Sequence, residues 1–122
     1  MLDHFGLTVK DVEASRAFYA AALAPLGIGV VAAFEGHVGL GGGGRAQFWF
    51  SQGEQTPARL HLAFEAHSRA EVDAFYAAAL AAGATDNGPP GLRPHYHPTY
   101  YGAFAIDPNG HNIEAVCRSP EP

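Results

Sequence analysis

An internal repeat is the feature of this sequence that most narrows the folds open to it. The seven residues AFYAAAL at positions 17–23 recur letter for letter at positions 74–80, which is 57 residues further along the chain. The same offset carries His4 onto His61, so the similarity extends beyond one alanine-rich helix. Because a repeated supersecondary unit fixes an architecture before local propensity is considered, the sequence predicts two copies of one folding unit.

Each copy opens with an extended segment followed by a helix. Apolar residues alternate in the opening segment 2–9, as in a half-buried strand, and 60–65 opens the second copy in the same way. Asp11 is a candidate N-cap for the first helix. Ser68, followed three residues later by Glu71, forms a capping box for the second. Both copies are therefore expected to begin with a strand and a capped helix.

Shorter extended segments follow each helix. In the first copy they lie at about 28–35, 37–40 and 46–51. The second copy contains a hairpin in which 101–106 and 111–116 flank the sequence DPNG, with proline and glycine where a type I turn favours them. Between helix and hairpin, 86–99 is rich in proline, glycine and histidine, which predicts an irregular loop rather than a long strand.

These elements predict an α+β fold of two βαβββ modules, which pair into a curved mixed sheet around a cleft. Module one spans about 1–52 and module two about 58–118, within a single domain. A chain of 122 residues can bury a hydrophobic core large enough to stabilise its fold without disulfides or bound metals. Cys117 is the only cysteine, so no internal disulfide can form, and a buried position is expected for it.

Charge and hydropathy exclude several kinds of partner. The formal net charge of −5 supplies no basic patch that would neutralise phosphates, so nucleic acid is not expected as a partner. No apolar run approaches the roughly 20 residues that a membrane helix needs, and the first nine residues lack the features of a signal peptide. We therefore expect a cytoplasmic protein with no membrane partner that binds a small molecule.

Four stretches of the sequence resemble the vicinal oxygen chelate superfamily, which includes glyoxalase I, fosfomycin-resistance enzymes, extradiol dioxygenases and bleomycin-binding proteins. They are DHFGL at 3–7, SRAFY at 15–19, HLAF at 61–64 and DPNGHNIE at 107–114. The last stretch is the most specific, and the resemblance covers essentially the whole chain. It implies a glyoxalase-like fold whose site takes a small substrate with adjacent oxygens.

The resemblance also implies that His4, His61 and Glu114 bind one divalent metal ion. Two imidazoles and one carboxylate can occupy one face of such an ion and leave positions for substrate oxygens or water. These ligands suit zinc, nickel, manganese and iron alike. His95 and His97 form a competing pair, which is disfavoured because no carboxylate accompanies them. For the remaining histidines a structural, hydrogen-bonded position is favoured: His37, His67 and His111.

The fourth ligand of glyoxalase I-like sites has no carboxylate counterpart here. In that family a glutamate on the last strand of the first module binds the metal and also serves as a base. The corresponding strand contains Gln47, Phe48 and Trp49. Gln47 can supply a weak oxygen ligand, but it cannot act as a base at neutral pH, and water or an empty position are the alternatives. This departure argues against the glyoxalase I reaction itself.

The irregular loop carries the side chains that can replace the missing base. Histidines can shuttle protons near neutral pH, and tyrosines can donate to a developing oxyanion. The predicted catalytic residues are Glu114, His97 and Tyr101. The predicted substrate contacts are Trp49, Phe48, His95 and Tyr100. The alternative for all these rings is that they only pack over the sheet or fill the core.

The sequence therefore predicts a metal-dependent lyase or isomerase of glyoxalase type, similar to lactoylglutathione lyase. One alternative is a small-molecule binding protein without turnover, as in bleomycin resistance. A dioxygenase is the third possibility, although extradiol dioxygenases usually have longer chains. A homodimer is expected because short modules leave open sheet edges and apolar cleft walls for a partner to cover.

Overall fold

The computed structural model describes residues 2–57 and 59–120 of the chain. Its elements in chain order are β1 Phe5–Val9, α1 Val12–Leu23, β2 Gly29–Phe34, β3 His37–Gly41, β4 Phe48–Gln52, β5 His61–Glu65, α2 Arg69–Ala81, β6 Thr85–Leu92, β7 Tyr101–Ile106 and β8 Asn112–Cys117. The order of one strand, one helix and three strands occurs twice, as the repeat predicts.

The eight strands form two four-stranded mixed sheets, in the orders β1-β4-β3-β2 and β5-β8-β7-β6. In each sheet the first strand of the module runs parallel to the last, and the other pairs are antiparallel. The predicted α+β fold of two βαβββ modules is confirmed. Among the residues that the structure describes, no helix is long and apolar enough to cross a membrane.

Side-chain caps fix where both helices begin. Asp11 accepts the Ala14 amide proton at 3.0 Å, and Ser68 Oγ accepts that of Glu71 at 3.1 Å. The Glu71 carboxylate returns to the amide of His67 at 2.9 Å, one residue earlier than a standard capping box requires. Both predicted N-caps are therefore confirmed.

The core lies between the helices and one face of each sheet. α1 packs on β3 and β4, α2 packs on β7 and β8, and the two helices contact each other. Phe48 belongs to this core, since it is 3% exposed and its ring lies edge-on to that of Tyr19 at 5.0 Å. Cys117 is buried, as predicted. The opposite face of each sheet carries no helix and can therefore hold polar side chains that contact ligands.

The strand β6 is the main departure from the sequence-based prediction. The sequence predicts a loop at 86–99, but Thr85–Leu92 pairs with β7, with register shifts on either side of Gly88. The prediction was wrong for this half of the segment because β6 is an edge strand. An edge strand tolerates Pro89 and Pro90, since amides on its outer side need no partner. Only the part after Leu92 is irregular.

A buried carboxylate ties the two modules together. Asp107 is 3% exposed and accepts the Tyr19 hydroxyl proton, together with the amide protons of Asn109 and His111 at 2.9 Å each. We expect Asp107→Ala to lower the free energy of unfolding by about 3 kcal/mol, because two buried donors and one partly buried donor lose their acceptor. Urea denaturation measures the change.

Asp11→Ala is the matched control, since it removes an exposed helix cap worth about 1 kcal/mol. Equal losses in the two variants would contradict the role of Asp107. Burial, followed by the Asp107 charge, raises the pKa of Tyr19 well above its ordinary value. The contribution of Tyr19 is therefore complete below about pH 10 and is lost as pH rises further, a loss that Tyr19→Phe should remove.

Candidate metal centre

A histidine and a buried glutamate meet on the face of the second sheet that points away from α2. Glu114 is 1% exposed, and on this face its neighbours in register are Ala63 in β5 and Phe104 in β7. His61 begins β5, and its Nε2 lies 2.8 Å from Glu114 Oε1. The His61 side chain is 51% exposed. The carboxylate of the pair is therefore buried, whereas solvent can reach the imidazole.

Tyr100 holds the other oxygen of the Glu114 carboxylate. Its hydroxyl donates to Oε2, and its ring lies 4.9 Å from the guanidinium carbon of Arg118. Gly102 makes room for this contact, since a Cβ there would lie 3.1 Å from the Tyr100 ring. Burial, followed by the hydrogen bond to Glu114, raises the pKa of Tyr100 above its ordinary value. Tyr100 is therefore a proton donor at neutral pH, and it leaves Oε1 directed at His61.

Asn112 orients the ring of His61, a role that the sequence analysis does not predict. Its Nδ2 lies 2.9 Å from His61 Nδ1 and orients the ring so that Nε2 faces Glu114. Its Oδ1 accepts from Asn87 Nδ2 at 3.1 Å. The available signal was the period of a strand, because residues 112 and 114 of β8 share a face.

His4 immediately precedes β1 of the first sheet and is not part of this pair. Its Nδ1 donates to Asp3 Oδ1 at 2.8 Å, and Arg45 Nη1 donates to Asp3 Oδ2 at 2.8 Å. The bond from His4, followed by the charge of Arg45, lowers the pKa of Asp3. A carboxylate on Nδ1 is the usual support of a metal-binding histidine, because it leaves the lone pair on Nε2.

An open aromatic depression of about 660 Å³ surrounds His4. Its lining residues are His4, Phe5, Gly6, Phe34, His37, Trp49 and Ser51. Phe34 is 62% exposed, and its ring lies 5.9 Å from that of Trp49. The predicted substrate contact Trp49 therefore faces solvent in the single chain, whereas Phe48 belongs to the core.

The sheet registers identify the first-module counterpart of Glu114. Gly6 pairs with Trp49 across β1 and β4, and Ala63 pairs with Glu114 across β5 and β8. The repeat offset of 57 residues relates Gly6 to Ala63. Trp49, rather than Gln47, thus occupies the place where a fourth ligand would lie, and an indole offers a metal no donor atom.

The sequence matches a known protein family over nearly its whole length. The family profile described as Glyoxalase/Bleomycin resistance protein/Dioxygenase superfamily matches residues 1–115. The chain belongs to this superfamily. A crystal structure of a glyoxalase/bleomycin resistance protein from Albidiferax ferrireducens T118 is similar, with 33% sequence identity and a TM-score of 0.83. The match covers 96% of this chain and 98% of that one.

More distant superfamily structures share the fold alone. A glyoxalase/bleomycin resistance protein/dioxygenase family enzyme from Burkholderia phytofirmans PsJN is 21% identical over 96% of this chain and 98% of that one, with a TM-score of 0.75. The fosfomycin resistance protein FosX from Mesorhizobium loti is 20% identical over 96% of this chain and 91% of that one, with a TM-score of 0.71. No match to a curated protein reaches significance.

The loop side chains predicted for catalysis in this superfamily member are distributed over two faces. His95 is exposed and lies 4.2 Å from the Tyr96 ring, and His97 Nδ1 accepts the Thr99 amide proton at 3.2 Å. Tyr101 donates to Asp73 of α2 at 2.7 Å. The structure therefore places Tyr101 on the helix side of β7 and brings Tyr100, its neighbour, to Glu114.

Of the other histidines, His37 and His111 make hydrogen bonds through their rings, whereas the His67 side chain is exposed. His37 Nδ1 lies 2.8 Å from Ser51 Oγ, and the buried His111 accepts the Leu60 amide proton on Nδ1 at 3.0 Å. His67 lies 3.7 Å from the Glu71 carboxylate at the start of α2.

The His61 and Glu114 pair fits two neighbouring positions around a metal ion. Two donors that each lie about 2.0–2.2 Å from one ion are separated by roughly 3 Å, and the observed distance is 2.8 Å. Within residues 2–57 and 59–120, no three His, Cys, Asp or Glu side chains come close enough to hold an ion. In the single chain, His4 therefore does not join His61 and Glu114.

Proposed function

We propose that this protein is a metal-dependent lyase or isomerase of glyoxalase type that acts on a small substrate with adjacent oxygens. The observation that carries the proposal is the Glu114 carboxylate, buried in β8 with Oε1 2.8 Å from Nε2 of His61. His61 and Glu114 would hold one divalent ion, with His4 as the third ligand. Zinc, nickel, manganese and iron all suit these donors.

The chain's own residues would set the geometry and the proton positions. When bound, the ion would supply Lewis-acid polarisation of a substrate oxygen. Tyr100 fixes the direction of the Glu114 carboxylate. Asn112, with its amide turned over, would accept the proton of His61 Nδ1 and free Nε2 as a ligand. Because Trp49 has no basic atom, the proton carrier would be an exposed imidazole of the loop, His95 or His97.

We further propose that two copies assemble so that the first sheet of one covers the second sheet of the other. The support is that the ligand-bearing faces lie on different sheets and carry no helix. Phe34 is 62% exposed on one of these faces, as expected for a residue that a partner covers. A two-fold axis would then bring His4 of one copy to His61 and Glu114 of its partner, twice per dimer.

Mixing two inactive variants tests this arrangement. His4→Ala and His61→Ala should each lose the metal site as homodimers. After the two are unfolded together and refolded as an equal mixture, we expect about a quarter of the wild-type sites, because half of the dimers are mixed and each has one intact site of two. Metal analysis of the dialysed mixture counts the sites.

If mixed dimers form but the mixture binds no metal, the shared site is contradicted. The three ligands would then belong to one chain, or there would be no such site. Full metal binding by His4→Ala alone would exclude His4 as a ligand. Light scattering at micromolar concentration checks the assembly itself, and a monomer would contradict the shared site.

A binding protein without turnover is the second candidate, and the position of Trp49 favours it. An indole stands where a glyoxalase I-like base would lie, next to an open depression of about 660 Å³. Trp49 is the only tryptophan, so its fluorescence reports ligands at this face. A fluorescence response to bleomycin, with no turnover of hemithioacetals by metal-loaded protein, would favour binding over catalysis.

A further inference from the structure

Arg93 lies on the same face of the second sheet as Glu114, in a fixed orientation. Its Nη1 donates to the Gly91 carbonyl and its Nη2 to the Pro89 carbonyl, both at 2.8 Å. The guanidinium carbon lies 5.4 Å from the centroid of the Phe104 ring. The side chain therefore turns back along β6 and rests on an aromatic surface, a position that favours a cation.

Two glycines of β6 leave the space that the guanidinium fills. A Cβ at Gly88 would lie 3.2 Å from Arg93 Nη2, and one at Gly91 would lie 3.2 Å from Nη1. Gly88 also has a φ of +145°, which favours glycine. The two glycines thus let the planar guanidinium lie flat against the sheet.

The guanidinium of Arg93 lies at the end of the row of paired residues that contains Glu114, and His61 lies in the neighbouring row of the same face. Glu114 pairs in register with Phe104, and Phe104 pairs with Gly88, beside which the guanidinium lies. Neighbouring strands are about 4.8 Å apart, so the backbones of Glu114 and Gly88 are separated by roughly 10 Å. The His61 ring stacks with the Phe104 ring, with 6.2 Å between the ring centroids and 18° between the ring planes. A small molecule at His61 can therefore extend across Phe104 to the guanidinium.

The charge of Arg93 is not neutralised in the part of the chain that the structure describes. The ion pairs there involve other residues, namely Asp3 with His4 and Arg45, His61 with Glu114 and His67 with Glu71. Carbonyl oxygens take two of the five N–H groups of Arg93, and the other three have no acceptor among the described residues. A rigid guanidinium with free N–H groups is suited to carboxylate and phosphate oxygens.

We propose that Arg93 binds an oxyanion, and that the small molecule taken by the His61 and Glu114 face carries a carboxylate, phosphate or phosphonate group. Arg93 would then determine specificity by holding the charged end of the molecule while its adjacent oxygens lie at His61. The statement about the substrate rests on the proposed function, whereas anion binding by Arg93 does not.

Titration of the metal-free full chain with small anions tests the proposal. Inorganic phosphate and acetate are the probes, and calorimetry with the NMR signal of the Arg93 Nε–H group is the measurement. We expect saturable binding that Arg93→Gln weakens about tenfold or more, because charge-assisted hydrogen bonds are lost. Arg93→Lys should retain part of the affinity, since it keeps the charge without the planar fork. Arg16→Gln removes the same charge from α1 and should bind like the wild type.

Absence of saturable binding of both anions by the wild type would overturn the proposal, and so would equal affinity in the wild type and Arg93→Gln. If Arg93→Gln does not fold, the Arg93→Lys affinity and the Nε–H shift of the wild type decide. Phosphate binding that depends on Arg93, in a chain that never takes up a metal, would sink the proposed function and leave the anion site intact. The tighter of the two anions shows whether the site prefers a carboxylate or a phosphorus oxyanion.

Discussion

Replacement of His61 with alanine should abolish metal binding, which in purified, tag-free wild-type protein is expected at about one divalent ion per chain. His61 Nε2 and Glu114 Oε1 are the two donors that the fold already holds at 2.8 Å. Removal of a ligand should weaken binding by more than the roughly 10- to 100-fold that an outer-shell partner contributes. Metal analysis after dialysis and calorimetric titration measure the loss.

His67→Ala is the matched control, because the His67 side chain is 81% exposed and lies at the start of α2. It should keep the ion. Affinity of the wild type should decline in acid, since imidazole and carboxylate ligands must give up their protons to bind a metal. Wild-type protein that takes up none of zinc, nickel, manganese and iron would contradict the proposed metal centre.

Tyr100→Phe should lower metal affinity by about 10- to 100-fold, the range for loss of a residue that orients a ligand. The hydroxyl of Tyr100 holds Glu114 Oε2, and without it a buried carboxylate oxygen has lost its donor. With metal restored at saturating concentration, we expect kcat on any vicinal-oxygen substrate to remain reduced, because Oε1 no longer has a fixed direction. Calorimetry and steady-state kinetics separate the two effects.

Tyr101→Phe is the control for the same change one residue later. Tyr101 donates to Asp73 on the helix side of β7, so the variant should keep its metal affinity and lose about 1 kcal/mol of unfolding free energy. Equal metal affinity in Tyr100→Phe and the wild type would contradict the role of Tyr100. A complete loss of turnover in Tyr101→Phe alone would instead restore the catalytic role that the sequence predicts for it.

Local sequence patterns predicted most of the secondary structure. Caps such as Asp11 and Ser68 act over three or four residues, so the helix starts can be predicted without knowledge of any tertiary contact. The DPNG turn is equally local, and the Gly110 amide donates to the Asp107 carbonyl at 2.9 Å. The repeat supplied the architecture, because two similar segments fold into similar modules. β6 escaped prediction because its tolerance for proline depends on its place at the edge of a sheet.

The sequence predicts only part of the candidate site. The repeat and the resemblance to the superfamily predict that His61 and Glu114 lie in one site. The sequence does not predict the hydrogen bonds that Asn112 and Tyr100 make to these two residues. Those bonds depend on the register of neighbouring strands, which no local pattern fixes. The same register assigns the fourth position to Trp49, which the sequence alone does not distinguish from Gln47.

The sequence by itself determined two βαβββ modules, two helix starts, one hairpin and the membership of a superfamily, since each follows from patterns read along the chain. Only the tertiary structure decided which of the paired positions face one another. His4 and His61 are equivalent by the repeat, yet they lie on different sheets. Arg93 shares a face with Glu114 although the two are 21 residues apart. Strand pairing joins residues through backbone hydrogen bonds that carry no side-chain identity, so these proximities are set by the fold as a whole.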